Sequence, residues 1–135
     1  MAAYWARRQI VQSFRDLTVW QRSIQMTVAF YRLTQAFPRE ELYGLTSQLR
    51  RSAVSVPSNI AEGQGRLSPG EFRQFLGIAR GSNLEVQTQI EIARALGFGN
   101  PELLSQAEAL SHEAGKMIYG MLESIRDQAR AATES

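Results

Sequence analysis

Apolar residues recur at steps of three and four along most of the chain, the spacing of one helix face. The first such stripe is Leu17, Trp20, Ile24, Val28 and Tyr31, and it predicts a helix from about Thr18 to Ala36. Phe37-Pro38 ends it, because a residue before proline is pushed out of the helical region. A second stripe, Leu42, Leu45, Leu49, Ala53 and Val56, predicts a helix from about Glu40 to Val56. Glu40 and Glu41 suit its positive end, and Arg50 and Arg51 its negative end. Pro57 either stops this helix or kinks it, and the favoured reading is a kink with a further turn through Ala61 that returns Ile60 to the buried stripe. Gly63 and Gly65 are expected to lend the backbone freedom for the reversal that follows.

The third helix has the clearest start. Ser68 is placed to cap it, Pro69 fits its first position and Glu71 completes a capping box. Phe72, Phe75, Leu76, Ala79, Val86, Ile90 and Ala93 form one face, and Gly97-Phe98-Gly99 ends the helix. A second apolar set, Ile78, Leu84, Ile92 and Leu96, spreads beyond the stripe of an ordinary surface helix. Gly77 and Gly81 lie among these residues, where a second helix backbone can come close. Such a helix is either central or touches another subunit, so Ile78, Leu84 and Ile92 are the candidate oligomer interface. Asn100 and Pro101 open a fourth helix, whose apolar side runs from Leu103 to Ile125 and fades by Arg130. No β-rich run occurs, and the connections are short. The expected fold is all-α, an antiparallel up-down four-helix bundle over residues 14–128. An N-terminal extension over 1–13 and a frayed tail over 129–135 flank it.

Length agrees with one domain, since 135 residues bury a core without staples. The net charge of +2 conceals an asymmetry. Residues 1–100 hold twelve arginines against seven acids, whereas residues 101–135 hold three basic groups against six acids. Lys116 is the single lysine. Arginine suits both phosphate recognition and subunit contacts, and Arg50, Arg51, Arg66, Arg73 and Arg80 are candidates for one basic, nucleic-acid-binding surface. Such a surface follows a phosphate backbone without reading bases. No apolar signal core follows Arg7 and Arg8, and no run is long enough to span a bilayer, so a cytoplasmic protein with no membrane partner is expected.

Reactive chemistry is scarce. The chain has no cysteine, and His112 is its one histidine, followed by a Glu113 that does not share its helix face. Glu62, Glu71, Glu85 and Glu91 do not make the Glu-x-x-His pairs of a di-iron bundle. Gly63-x-Gly65 lacks the strand and lysine of a phosphate loop. Glu85 and Gln89, one turn apart, can join a polar network. These observations predict no enzyme, no catalytic residue, no metal and no cofactor. Pro57, Asn59, Glu62 and Gly63 form a structural motif instead. In it Asn59 is expected to take up carbonyls freed by Pro57, and Glu62 to accept backbone N–H groups or an arginine.

Several segments together resemble a known family. They are Leu17-Thr18-Val19-Trp20, Phe37-Pro38-Arg39-Glu40-Glu41-Leu42-Tyr43-Gly44-Leu45, and Gln48-Leu49-Arg50-Arg51. The run Ser55-Val56-Pro57-Ser58-Asn59-Ile60-Ala61-Glu62-Gly63 follows, then Glu71-Phe72, Phe75-Leu76, Ile78-Ala79-Arg80-Gly81-Ser82 and Leu84-Glu85. The chain resembles, over roughly residues 14–125, the four-helix-bundle proteins encoded in intervening sequences of bacterial 23S ribosomal RNA genes. The resemblance implies an up-down bundle, ring-like homopentamers and no known enzyme activity. It also implies a distant similarity to the accessory variability protein of retroelements, a basic barrel that works with RNA and a reverse transcriptase. Asn83 departs from the pattern, which often has leucine or another apolar residue there.

Overall fold

The structure, a computed structural model, describes residues 13–134, so the expected N-terminal extension lies outside the described residues except for Ser13. Four helices account for most of the described residues: α1 (Thr18–Thr34), α2 (Leu45–Gln64), α3 (Pro69–Leu96) and α4 (Pro101–Glu134). Short 3-10 turns at Phe14–Asp16 and Arg39–Glu41 precede α1 and α2. No strand occurs among the described residues. Each helix packs on two others, α1 on α2 and α4, and α3 likewise on α2 and α4. With short connections this is a square, up-down four-helix bundle.

The caps follow from local chemistry. The Ser68 hydroxyl accepts the Glu71 backbone N–H at 3.2 Å and donates toward the Glu71 carboxylate at 3.3 Å. Asn100 Oδ1 accepts from the N–H groups of Glu102 and Leu103 at 2.8 and 3.1 Å, satisfying two donors that a helix start leaves open. Gly97 closes α3 in the left-handed region, with φ of 73°. The core between the helices holds Met26, Phe30 and Leu33 from α1, and Leu49, Ala53, Val56 and Ile60 from α2. Facing them are Phe72, Leu76, Ala79, Val86 and Ile90 of α3, and Ala107, Ala114 and Ile118 of α4.

Three expectations need correction. On α1 the buried face is Val19, Ser23, Met26, Phe30 and Leu33, whereas Val28 and Tyr31 are exposed. The helix carries two adjoining apolar stripes, and the one with Phe30 and Leu33 turns inward. Helix α2 starts at Leu45, five residues late, because Arg39–Glu41 form a separate 3-10 turn. Glu41 then caps it, its carboxylate accepting the Leu45 N–H at 3.0 Å, and Leu42 is left exposed. As expected, α2 continues past Pro57 and through Ala61, here as far as Gln64, with Ile60 buried. Beyond the apolar face of α4, which closes at Ile125, the helix continues to Glu134.

Candidate assembly surface and the α2 corner

A proline inside a helix frees the carbonyl four residues earlier, here Ala53. The Thr27 hydroxyl, on α1, lies 3.1 Å from that carbonyl and 2.8 Å from the Ser23 carbonyl of its own helix. Thr27 therefore does what the sequence assigned to Asn59. Asn59 Nδ2 instead donates to the Ser55 carbonyl at 2.8 Å and the Ser55 hydroxyl at 2.9 Å. Ser55 in turn meets Ser82 of α3 at 2.7 Å. Glu62 takes an arginine one turn later, with Arg66 Nη2 at 3.0 Å. Exposed helix pairs of this kind add only about 0.3–0.5 kcal/mol.

Gly63 acts through space rather than through backbone freedom. It is helical and buried, and positive φ values occur at Gly97 and Gly99 among the described residues. A Cβ at Gly63 would stand 2.7 Å from the Phe75 Cβ and 2.9 Å from the Phe72 Cδ1. Missing that atom lets α2 and α3 touch backbone to ring.

The outer face of α3 is bare. Ile78, Leu84 and Ile92 are 47, 48 and 46% exposed, and Leu96 is 58% exposed. Gly77 and Gly81, on the same face, have nothing within 4 Å of where a Cβ would sit. The close approach that these glycines permit is made by no described part of the chain. A separate apolar group, Tyr31, Leu42, Tyr43 and Val54, surrounds a shallow hollow of about 470 Å³ against α1 and α2.

The five candidate arginines do not form one surface. Arg50 lies over the Tyr31 ring at 4.6 Å and donates to the Thr34 hydroxyl at 2.8 Å, and Arg51 lines the same α1–α2 hollow. Arg66 lies 4.7 Å over the Phe75 ring. Arg73 is exposed on α3, and Arg80 borders a groove between α3 and α4, on the opposite side of the bundle from Arg50. Arg50 faces the α1–α2 side of the bundle and Arg80 the α3–α4 side, which separates them. His112 and Lys116 of α4 share the Arg80 groove, which sequence spacing within one helix does not reveal. Arg94 is committed elsewhere: its hydrogen bonds to Glu108 and then Glu91 raise its pKa above the usual guanidinium value.

Asn83 is accounted for by its partner. Its Nδ2 donates to the Ser111 carbonyl at 2.9 Å, and the Ser111 hydroxyl donates back to Asn83 Oδ1 at 2.8 Å, both buried. Gln87 adds a bond to the Ser111 hydroxyl at 3.2 Å. This small network fixes α3 against α4, and removing one side of it would cost about 1–3 kcal/mol by leaving buried polar atoms unpaired. Glu85 also joins a contact across helices, accepting from the Ser52 hydroxyl at 3.3 Å. Among the described residues no group of three histidine, aspartate or glutamate side chains is placed to hold a metal ion.

A family model described as 23S rRNA-intervening sequence protein matches residues 15–120. Among solved structures, the chain is similar to a protein of unknown function from the S23 ribosomal protein family of Bacteroides thetaiotaomicron VPI-5482. The TM-score is 0.70 at 20% identity, covering 78% of this chain and 98% of that one, which shows a shared fold. No curated protein matches the chain.

Proposed function

The chain belongs to the 23S rRNA-intervening sequence protein family, and on that premise we propose that it acts as a non-catalytic homo-oligomeric scaffold, a ring of five copies. The observation that carries this reading is the bare outer face of α3, where Ile78, Leu84 and Ile92 stand about half exposed beside Gly77 and Gly81. Exposed apolar side chains gathered on one side of a helix favour an interaction surface there. The α1–α2 hollow with Tyr31, Leu42 and Tyr43 is a second, unlike patch on the same chain. Contacts between unlike patches run head to tail and close into rings when the rotation allows. The number five follows from the family resemblance. The cytoplasm is the compartment this reading expects, and no helix among the described residues is long and apolar enough to cross a membrane.

Because the natural chain has no cysteine, single replacements report on one position at a time. Ile92→Cys is expected to react with iodoacetamide at least about tenfold more slowly than Ala129→Cys, which lies on the exposed end of α4. Dilution should bring the two rates together. Equal rates at micromolar concentration would overturn the scaffold reading.

A second reading is a nucleic-acid-binding accessory protein that works with RNA and a protein partner such as a reverse transcriptase. It is favoured by one observation, the Arg80, His112 and Lys116 side chains gathered along a single groove with no carboxylate in its lining.

A further inference from the structure

We propose that the groove between α3 and α4 is a binding site for single-stranded nucleic acid, with phosphates held by Arg80 and Lys116 and a base laid against Tyr119. The inference rests on the nucleic-acid reading above and names its site. The groove has a volume of about 520 Å³. Arg80, Leu84 and Gln87 rise along its α3 wall at steps of four and three, and His112, Lys116 and Tyr119 along its α4 wall at the same steps. Seven residues of helix make it about 10 Å long at 1.5 Å per residue. Gly115 leaves the middle of the α4 wall low, and a Cβ there would stand 3.1 Å from Asn83 Nδ2 in the buried network beneath. The groove floor is thus set by the Asn83–Ser111 bonds and does not depend on exposed side chains.

Its chemistry is one-sided. Arg80, His112 and Lys116 have no carboxylate partner among the described residues, while Arg22, Arg66, Arg94 and Arg126 each have at least one. The Arg80 guanidinium lies over the Tyr119 ring, 5.9 Å from its centroid, so cation and ring share one groove. Tyr119 is 53% exposed. A cationic track beside a half-exposed aromatic ring is an arrangement that suits unpaired strands, since every base has a face to stack and every linkage carries a negative charge. A duplex keeps its bases stacked inside and offers nothing to Tyr119.

The test is fluorescence anisotropy with a labelled twelve-nucleotide uridine RNA, at low salt and at physiological salt. Arg80→Gln and Lys116→Gln should each raise Kd about tenfold and lower the salt slope by about one. Tyr119→Leu should weaken binding about fivefold with the salt slope unchanged. Arg130→Gln, on the exposed end of α4, should leave both unchanged. Uridine monophosphate and poly-aspartate, added as competitors, should displace the RNA weakly. Displacement by poly-aspartate as readily as by unlabelled RNA would overturn the stacking assignment. RNA binding that survives all three groove variants would overturn this site and leave the nucleic-acid reading standing. No binding even at low salt would overturn both.

Discussion

Replacing Gly63 by valine is expected to lower the melting temperature by about 10 °C, or to prevent folding. The added Cβ falls 2.7 Å from the Phe75 Cβ and 2.9 Å from the Phe72 ring. Phe72 is fully buried, and the Phe75 Cβ is fixed to its own backbone, so neither can step aside as the tip of a flexible chain would. Helices α2 and α3 must separate along a seam that also holds the Ser55–Ser82 bond. Overpacking of this kind costs about 3 kcal/mol, and each kcal/mol is worth about 4 °C in a domain of this size. Gly120→Ala is the matching control. Nothing lies within 4 Å of its Cβ position, so alanine should stabilise α4 by about 0.5–1 kcal/mol. Thermal unfolding followed by circular dichroism distinguishes them. Equal melting points for Gly63→Val and the natural chain would show that Gly63 has no packing role.

The double variant Leu84→Glu with Ile92→Glu should fold normally and lose its assembly. Both side chains are nearly half exposed in the single chain, so polar replacements there should change subunit stability by no more than about 0.5 kcal/mol. Within a closed subunit contact the same carboxylates lose their water without gaining partners, at a cost of several kcal/mol. Each 1.4 kcal/mol is about tenfold in affinity, so the association constant should fall by more than about a hundredfold. Native mass and helical circular dichroism, measured together, separate lost assembly from lost folding. Leu67→Glu is the control, since Leu67 is 96% exposed in the α2–α3 connection and away from the face. If the double variant keeps the mass of the natural chain, the outer face of α3 is not the contact.

The bundle was legible because its signals are local. Ser68-Pro69 and Asn100-Pro101 name helix starts by chemistry that needs no tertiary context, and both caps form. The outward Ile78, Leu84 and Ile92 were legible too, because they lie off the α3 stripe that holds Phe72 and Ile90. Where two stripes adjoin, as on α1, periodicity alone does not choose between them, and Phe30 won over Tyr31. Glu41 was expected inside a helix start and serves as the cap of a later one, because a 3-10 turn intervenes.

Contacts between helices were out of reach for a physical reason. Thr27 and Ala53 are twenty-six residues apart, and Asn83 and Ser111 twenty-eight. Nothing in either segment names the other. The same limit applies to the basic residues: Arg50 and Arg80 are both arginines on amphipathic helices, yet they point from opposite sides of the square. Gly63 was singled out for its backbone freedom, which the structure does not use. A glycine near a chain reversal suggests a special backbone angle, whereas this one is helical and matters for the space it leaves.

Sedimentation of the intact chain across a dilution series from tens of micromolar downward tests the account most directly. One dominant species near five times the 15.2 kDa subunit, about 76 kDa, is the expected result. A particle of 15.2 kDa throughout the series would contradict it, leaving the apolar residues of α3 in water with no copy to meet them.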